Sequence, residues 1–199
     1  MSQTNILLEA GTNELEIVEF FLDEPGENGA TYRGCYGVNV AKVLEIIQMP
    51  KITALPEVQH PSVLGAFNLR SRVIPLVDLC VWLGKQHVED KEPPKVVVTE
   101  FNSVTTAFMV TGVNRIHRIS WEAVEPPSKY MSMVSKGTIT GVVKLEERIV
   151  FLLDLEKIVA ELNPALGLRL DMAIDWGSEV RYRALIADDS ALIREMLKD

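Results

Sequence analysis

The sequence predicts a mainly β protein built from two related halves with short helices, followed by the start of an α/β unit. Three observations carry this. The stretch Gly65 to Leu79 reads as two apolar runs joined by the polar turn Arg70-Ser71-Arg72, and it recurs 76 residues later as Gly141 to Leu155. Gly65/Gly141, Leu69/Leu145, Arg72/Arg148, Leu76/Leu152, Asp78/Asp154 and Leu79/Leu155 match, so six of fifteen positions agree where average residue usage would give about one. Short runs rich in Val, Ile and Phe alternate with turn residues along most of the chain. Near the C-terminus an apolar run instead ends in paired acids and passes into a helical pattern.

Taken in order, Ile6 to Glu9 is a short apolar patch and Gly11-Thr12-Asn13 has turn composition. Leu15 to Leu22 and Tyr32 to Val38 read as strands separated by a loop at Pro25 to Gly29. Val43 to Ile47 reads as a strand with Val43, Glu45 and Ile47 on one face. A helix from Val40 to Ile47 competes, because Val40, Val43, Leu44 and Ile47 also satisfy helical spacing. Upstream of the hairpins, Lys42 to Ile46 is matched to Arg115 to Ile119, a basic residue followed by alternating apolar positions.

The segment Pro50 to Pro61 carries three prolines and is expected as a surface connection. Asp78 is placed to cap a short helix, Leu79 to Leu83, and Asp154 to cap a longer one through Leu162, with Leu155, Ile158, Val159 and Leu162 on one face. The charged run Gly84 to Pro94 is expected as the loop between the two halves. Lys95 to Glu100 and Thr105 to Val110 form a hairpin, Arg115 to Ile119 a strand, and Glu125-Pro126-Pro127 a break. Residues 164–180 read as linker with one docked turn around Leu168 to Ile174. Within 181–199, the strand Arg183 to Ala187 ends in Asp188-Asp189-Ser190 before a helix from Ala191 to Lys198. Paired acids at that junction suit Mg²⁺, and equally suit a plain helix cap.

At 199 residues, 47% hydrophobic and 24% charged, the chain can bury a proper core. No apolar stretch approaches the length of a membrane span, and the N-terminus lacks the pattern of a signal peptide, so a cytoplasmic protein is expected. Cys35 and Cys80 read as small buried apolar residues. A net charge of -8 argues against sequence-independent binding to nucleic acid. Phosphate-binding, dinucleotide-binding, serine-nucleophile and zinc-protease motifs are all missing, and His60, His87 and His117 lack metal-ligand spacing and are expected at the surface. A carboxylate pair such as Asp78 with Asp154 could serve an enzyme, but equivalent positions in a repeat favour two caps.

Asn68-Leu69-Arg70, Ile74-Pro75-Leu76-Val77-Asp78-Leu79, Tyr36-Gly37-Val38 and Lys42-Val43-Leu44-Glu45-Ile46 together resemble the CheW-like coupling domain of bacterial chemotaxis, a resemblance that covers Leu15 to Leu162. The opening Ile6 to Glu16 and the terminal Leu185 to Arg194 resemble the CheV-type branch, in which that domain is fused to a phosphorylation receiver. The resemblance implies two SH3-like five-stranded β-barrels within residues 1–163, and the first strand and helix of a truncated receiver at 181–199. It implies a non-enzymatic adaptor, without catalytic residues or resident cofactor, that couples membrane chemoreceptors to the histidine kinase CheA at receptor arrays. Neither nucleic acid nor membrane insertion is implied. The receptor-facing groove would include Val43, Glu45, Gly65 and Arg70. Asp188 and Asp189 would be an incomplete Mg²⁺ pair, and the phospho-accepting Asp of a complete receiver is not in this chain. Ser71 departs from the family, which usually has Gly there. The alternative reading is a phospho-accepting response regulator that uses the barrels as output module.

Overall fold

Apolar alternation with a period of two makes strands, and in the computed structural model eleven of them are described, with three short helices. The structure describes residues 14–162 other than 27–28, 57, 59, 89–91, 102 and 136, all within the compact unit 1–167. The expected linker, the strand and helix of residues 181–199, Asp188 and Asp189 lie outside the described residues. No described helix is long and apolar enough to cross a membrane.

The strands are β1 (Glu14–Pro25), β2 (Thr31–Asn39), β3 (Val43–Gln48), β4 (Val63–Leu69), β5 (Arg72–Asp78), β6 (Lys95–Phe101), β7 (Val104–Val110), β8 (Gly112–Ser120), β9 (Val124–Glu125), β10 (Ile139–Leu145) and β11 (Arg148–Leu153). The helices are α1 (Leu79–Trp82), α2 (Lys129–Val134) and α3 (Leu155–Leu162). One sheet runs β3-β6-β7-β5-β4 and the other β8-β1-β2-β11-β10-β9. We call these barrel one and barrel two.

Barrel two therefore has six strands rather than the expected five. The extra one is the two-residue β9, pairing Glu125 with Val142. Barrel one has a counterpart in the single bridge between Thr53 and Ala66, which stands 76 residues before Val142.

The chain does not finish one barrel before it starts the other. It begins in barrel two with β1 and β2, passes through Val40–Lys42 into barrel one, and returns after β7. The loop at residues 84–94 thus joins α1 to β6 inside barrel one and does not separate the halves. Its charge and prolines mark a surface loop, and local composition carries no information about which sheet its flanking strands enter. The strand expected at Val43 to Ile47 is β3, and the competing helix over 40–47 is not formed; one turn of 3-10 helix at Val40–Lys42, capped by Asn39, leads into the strand.

The repeat is exact in hydrogen bonding. Both hairpins have a bulge just before their glycine, between Val63 and Gly65 and between Ile139 and Gly141. Asp78 N–H donates to the Ser62 carbonyl at 2.6 Å and Asp154 N–H to the Thr138 carbonyl at 2.8 Å. Leu76 and Leu152 enter parallel pairs with Ala107 and Gly37, which makes those two equivalent as well. Following the ladders outward, Ala107 faces Val98 and Gly37 faces Glu19, while Val97 faces Ile46 and Val18 faces Ile116. Ile46 is therefore equivalent to Ile116, and Glu45 to Arg115. The expected match of Lys42 to Arg115 is out by three residues, because charge alternation along two edge strands looks alike in several registers.

Each barrel has its own apolar centre. Phe67, Ile74, Leu76, Val96, Val98 and Ala107 fill barrel one, and Leu15, Ile17, Ile119, Val143, Val150 and Leu152 fill barrel two. A third and larger cluster joins them, with Val18, Phe20, Leu22 and Tyr36 meeting Val77, Val97, Phe108 and Val110 under α3 residues Leu155, Ile158 and Val159. This shared core is what holds the two barrels as one body.

Candidate functional site

Of the residues expected to face a partner, Gly65 lies against Thr53 and Ile52, while Glu45 and Arg70, with Val43 beside Glu45 on its strand, meet at the seam of barrel one. β3 and the β4–β5 hairpin are the two outer members of its sheet, and curling of the sheet brings them together. Across this seam Arg70 Nη2 donates to Glu45 Oε2 at 3.2 Å. The Arg70 side chain is 79% exposed and that of Glu45 only 26%, so the seam presents the cation outward. Val43 shares the half-buried face of β3 with Glu45 and Ile47, whereas Leu44 and Ile46 are exposed on the other face.

The turn that carries Arg70 is tight. Arg70 has φ 49° and Ser71 φ 69°, both in the left-handed region, as a two-residue hairpin turn requires. Glycine is the residue that enters that region without strain, which is a physical reason for the glycine that the resemblance leads one to expect at the position of Ser71.

Gly65 lies on β4 and is built into the fold. Its φ is +143°, and a Cβ there would come within 2.4 Å of the Thr53 carbonyl oxygen and 2.6 Å of Ile52 Cγ2. The strand must be bare at this point for the segment after β3 to cross it.

Barrel two repeats the seam with its charges exchanged. Arg115 on β8 stands where Glu45 does, Glu146 in the β10–β11 turn stands where Arg70 does, and Arg115 Nη2 donates to Glu146 Oε1 at 2.9 Å. The presence of Glu146 opposite Arg70 in the repeat therefore does not leave the Arg70 charge unused by the fold. What the fold keeps is an ion pair across each seam, and what differs is its polarity.

Asp78 and Asp154 are helix caps. Asp78 Oδ1 accepts from Val81 N–H at 3.1 Å, and Asp154 Oδ1 from Lys157 N–H at 2.9 Å. Asp78 has a further partner, His87 Nε2, at 2.7 Å from its Oδ2. Cys80 is buried and Cys35 half-buried. Burial, reinforced by the Glu19 charge, pushes the Cys35 thiol up from its ordinary value.

Of the three histidines only His87 is exposed. His60 packs on Trp82 with ring centroids 4.7 Å apart, and His117 is held against buried Glu19. The surface position expected for His117 from its lack of metal-ligand spacing is not what the structure has, because its ring turns inward toward a carboxylate. No group of His, Cys, Asp and Glu among the described residues could hold a metal ion.

The polar cluster around Glu19 was not foreseen. Glu19 is 1% exposed and sits in barrel two where barrel one has Val98. Arg148 donates to both its oxygens, Nε to Oε1 at 2.7 Å and Nη2 to Oε2 at 3.1 Å, while Asn114 at 2.9 Å and His117 at 2.6 Å also donate to Oε2. Burial alone would raise the Glu19 carboxyl, but these hydrogen bonds prevail and hold it below the usual carboxylate range. One signal was available in the sequence: Leu15, Ile17 and Glu19 share a face of β1, and an acid there needs a buried partner.

Residues 29–163 match the model of the CheW-like domain. The chain is 40% identical over 191 residues to the chemotaxis protein CheV3 of Helicobacter pylori, covering 94% of this chain and 60% of that protein. It is 27% identical over 195 residues to CheV2 of the same organism, covering 89% of this chain and 59% of that one. With CheW of Klebsiella aerogenes it shares 28% identity over 131 residues, 66% of this chain and 78% of the relative. The chain thus spans about three fifths of the length of the CheV relatives it matches. Among solved structures, the scaffolding protein TtCheW of Thermoanaerobacter tengcongensis superposes with a TM-score of 0.60 at 22% identity, over 70% of this chain and 88% of that one, a likeness of fold. With the matched span covering all of barrel one and every strand of barrel two except β1, the chain belongs to the CheW-like domain family.

Proposed function

We propose that this chain is a non-enzymatic signalling adaptor, a coupling domain that joins the cytoplasmic hairpin of a chemoreceptor to the histidine kinase CheA, and that it works in the cytoplasm at receptor arrays. Its family and its relatives' names support the chemotaxis role, and the observation that carries the site is the barrel-one seam. There Arg70 is exposed, oriented by Glu45, and flanked by Val43 on the edge strand. A guanidinium so held offers planar, multidentate donation to carboxylates or backbone carbonyls of an incoming helix end. The kinase would take a different surface, since a coupling protein must hold both partners at once.

The response-regulator alternative rests on residues 181–199, which lie outside the matched span of 29–163, and no observation favours it. The test is reconstitution from three purified components. Receptor cytoplasmic fragment immobilised on beads should retain CheA when this chain is present and not when it is left out. Retention of neither protein, or of the chain alone at every concentration, would overturn the adaptor reading.

A further inference from the structure

Barrel one shows that the fold does not require a buried charge. Where Glu19, Asn114 and His117 cluster in barrel two, the ladders place Val98, Leu44 and Ile47 in barrel one, and Val98 is fully buried among apolar neighbours. The cluster also sits at a weak point. β8 is the outer strand of its sheet, bonded among the described strands to β1 alone, and their ladder is interrupted by a bulge between Val18 and Phe20, at Glu19 itself. Glu19 thus joins three strands: its own β1, β8 through Asn114 and His117, and β11 through Arg148.

Arg148 extends the chain of contacts outward. Its Nη1 lies 3.4 Å from Glu146 Oε2, and Glu146 in turn holds Arg115 across the seam. A continuous path of charges therefore runs from the buried carboxylate to the exposed turn.

We propose that Glu19, His117 and Arg148 form a proton-sensitive clasp that fastens the edge strand β8 and sets the contacts of the β10–β11 turn. Glu19, ionised and gripped by the Arg148 fork, can only accept, so His117 Nε2 carries a hydrogen in either state. Protonation adds the second hydrogen at Nδ1 and turns a neutral donor into a charged one with no heavy atom displaced. The ring meets Glu19 of β1, and the other groups gathered on that carboxylate are Arg148 from β11 and neutral Asn114 on the ring's own strand, with the Cys35 thiol of β2 within reach of the Glu19 and Arg148 charges. The clasp passes from neutral to a net positive charge, His117 draws harder on Glu19, and Arg148 turns more of its donation to Glu146. Histidine is the member of the clasp that can gain a charge while leaving the Arg148 fork on Glu19 in place.

The test is a pH titration of the whole isotopically labelled chain by nuclear magnetic resonance, following the His117 ring together with the backbone amides of Arg115, Glu146 and Glu147. The expected result is one shared midpoint for ring and amides in the parent, and loss of the amide step in His117→Gln, which keeps a donor but cannot titrate. Amides that stay silent while the ring titrates, a ring that does not titrate, or an amide step that survives in His117→Gln would each overturn the clasp. The parent titration decides the matter by itself should the variant fold poorly.

Discussion

Arg70 and Ser71 occupy a turn that only glycine enters freely, and this strain is the clearest residue-scale consequence of the structure. An L-residue in the left-handed region costs about 1–2 kcal/mol, so Ser71→Gly should stabilise the protein by about 1 kcal/mol, read as a higher midpoint in chemical denaturation. Gly65→Ala should act in the opposite sense, because its Cβ would strike the Thr53 carbonyl, and a loss of more than about 2 kcal/mol is expected by the same measurement. The two caps should separate. Asp154→Ala loses one backbone acceptor and should cost about 1 kcal/mol, while Asp78→Ala also strands its contact with His87 and should cost about 2. Equal losses for the two would show that the His87 contact contributes nothing.

At the scale of elements, the repeat was legible because turns, bulges and caps have local chemistry. Gly65 and Gly141, Asp78 and Asp154, and the polar turns between them are written in residue types that only certain backbone geometries tolerate. Strand partnership was not legible in the same way. β1 and β2 join β10 and β11 across most of the chain, and nothing in the composition of a strand names its neighbour. α2 was missed because Pro126 and Pro127 signal a break, although Ser128, whose Oγ accepts from Met131 N–H at 3.2 Å, begins a helix just beyond them. The Glu19 cluster was missed because each member sits in a strand that reads well without it. Its cost can be tested directly: Arg148→Ala leaves a buried carboxylate short of its strongest partner and should destabilise by about 3–5 kcal/mol.

The same cluster fixes how stability depends on acid. The folded-state carboxyl of Glu19 lies below its ordinary value, so its contribution is complete above the unfolded-state titration and is lost as the pH falls through the depressed folded one. Thermal melts between neutral pH and the lower end of the carboxylate range should therefore show the parent losing more stability than Glu19→Gln. Parallel curves for the two would mean that folding does not lower the Glu19 carboxyl.

On the scale of the whole molecule, two barrels with a common plan and a shared core carry seam ion pairs of opposite polarity, Glu45 with Arg70 and Arg115 with Glu146. One scaffold thus offers two unlike surfaces, which is what an adaptor between two different proteins needs. The protein itself supplies the control, because barrel two shows that the reversed pair is tolerated. The double variant Glu45→Arg with Arg70→Glu should keep the seam closed and leave stability within about 1 kcal/mol of the parent, as exposed pairs of this kind contribute about 0–1 kcal/mol. The measurement that bears most directly on the proposed function is titration of a receptor cytoplasmic hairpin fragment into the parent, into Arg70→Ala and into this charge-exchanged variant. Binding weakened by about tenfold or more in both variants, equivalent to about 1.4 kcal/mol, with melting temperatures preserved, is the result the account predicts; parent-like affinity in the charge-exchanged protein would show that the seam serves the fold alone and that the receptor docks elsewhere.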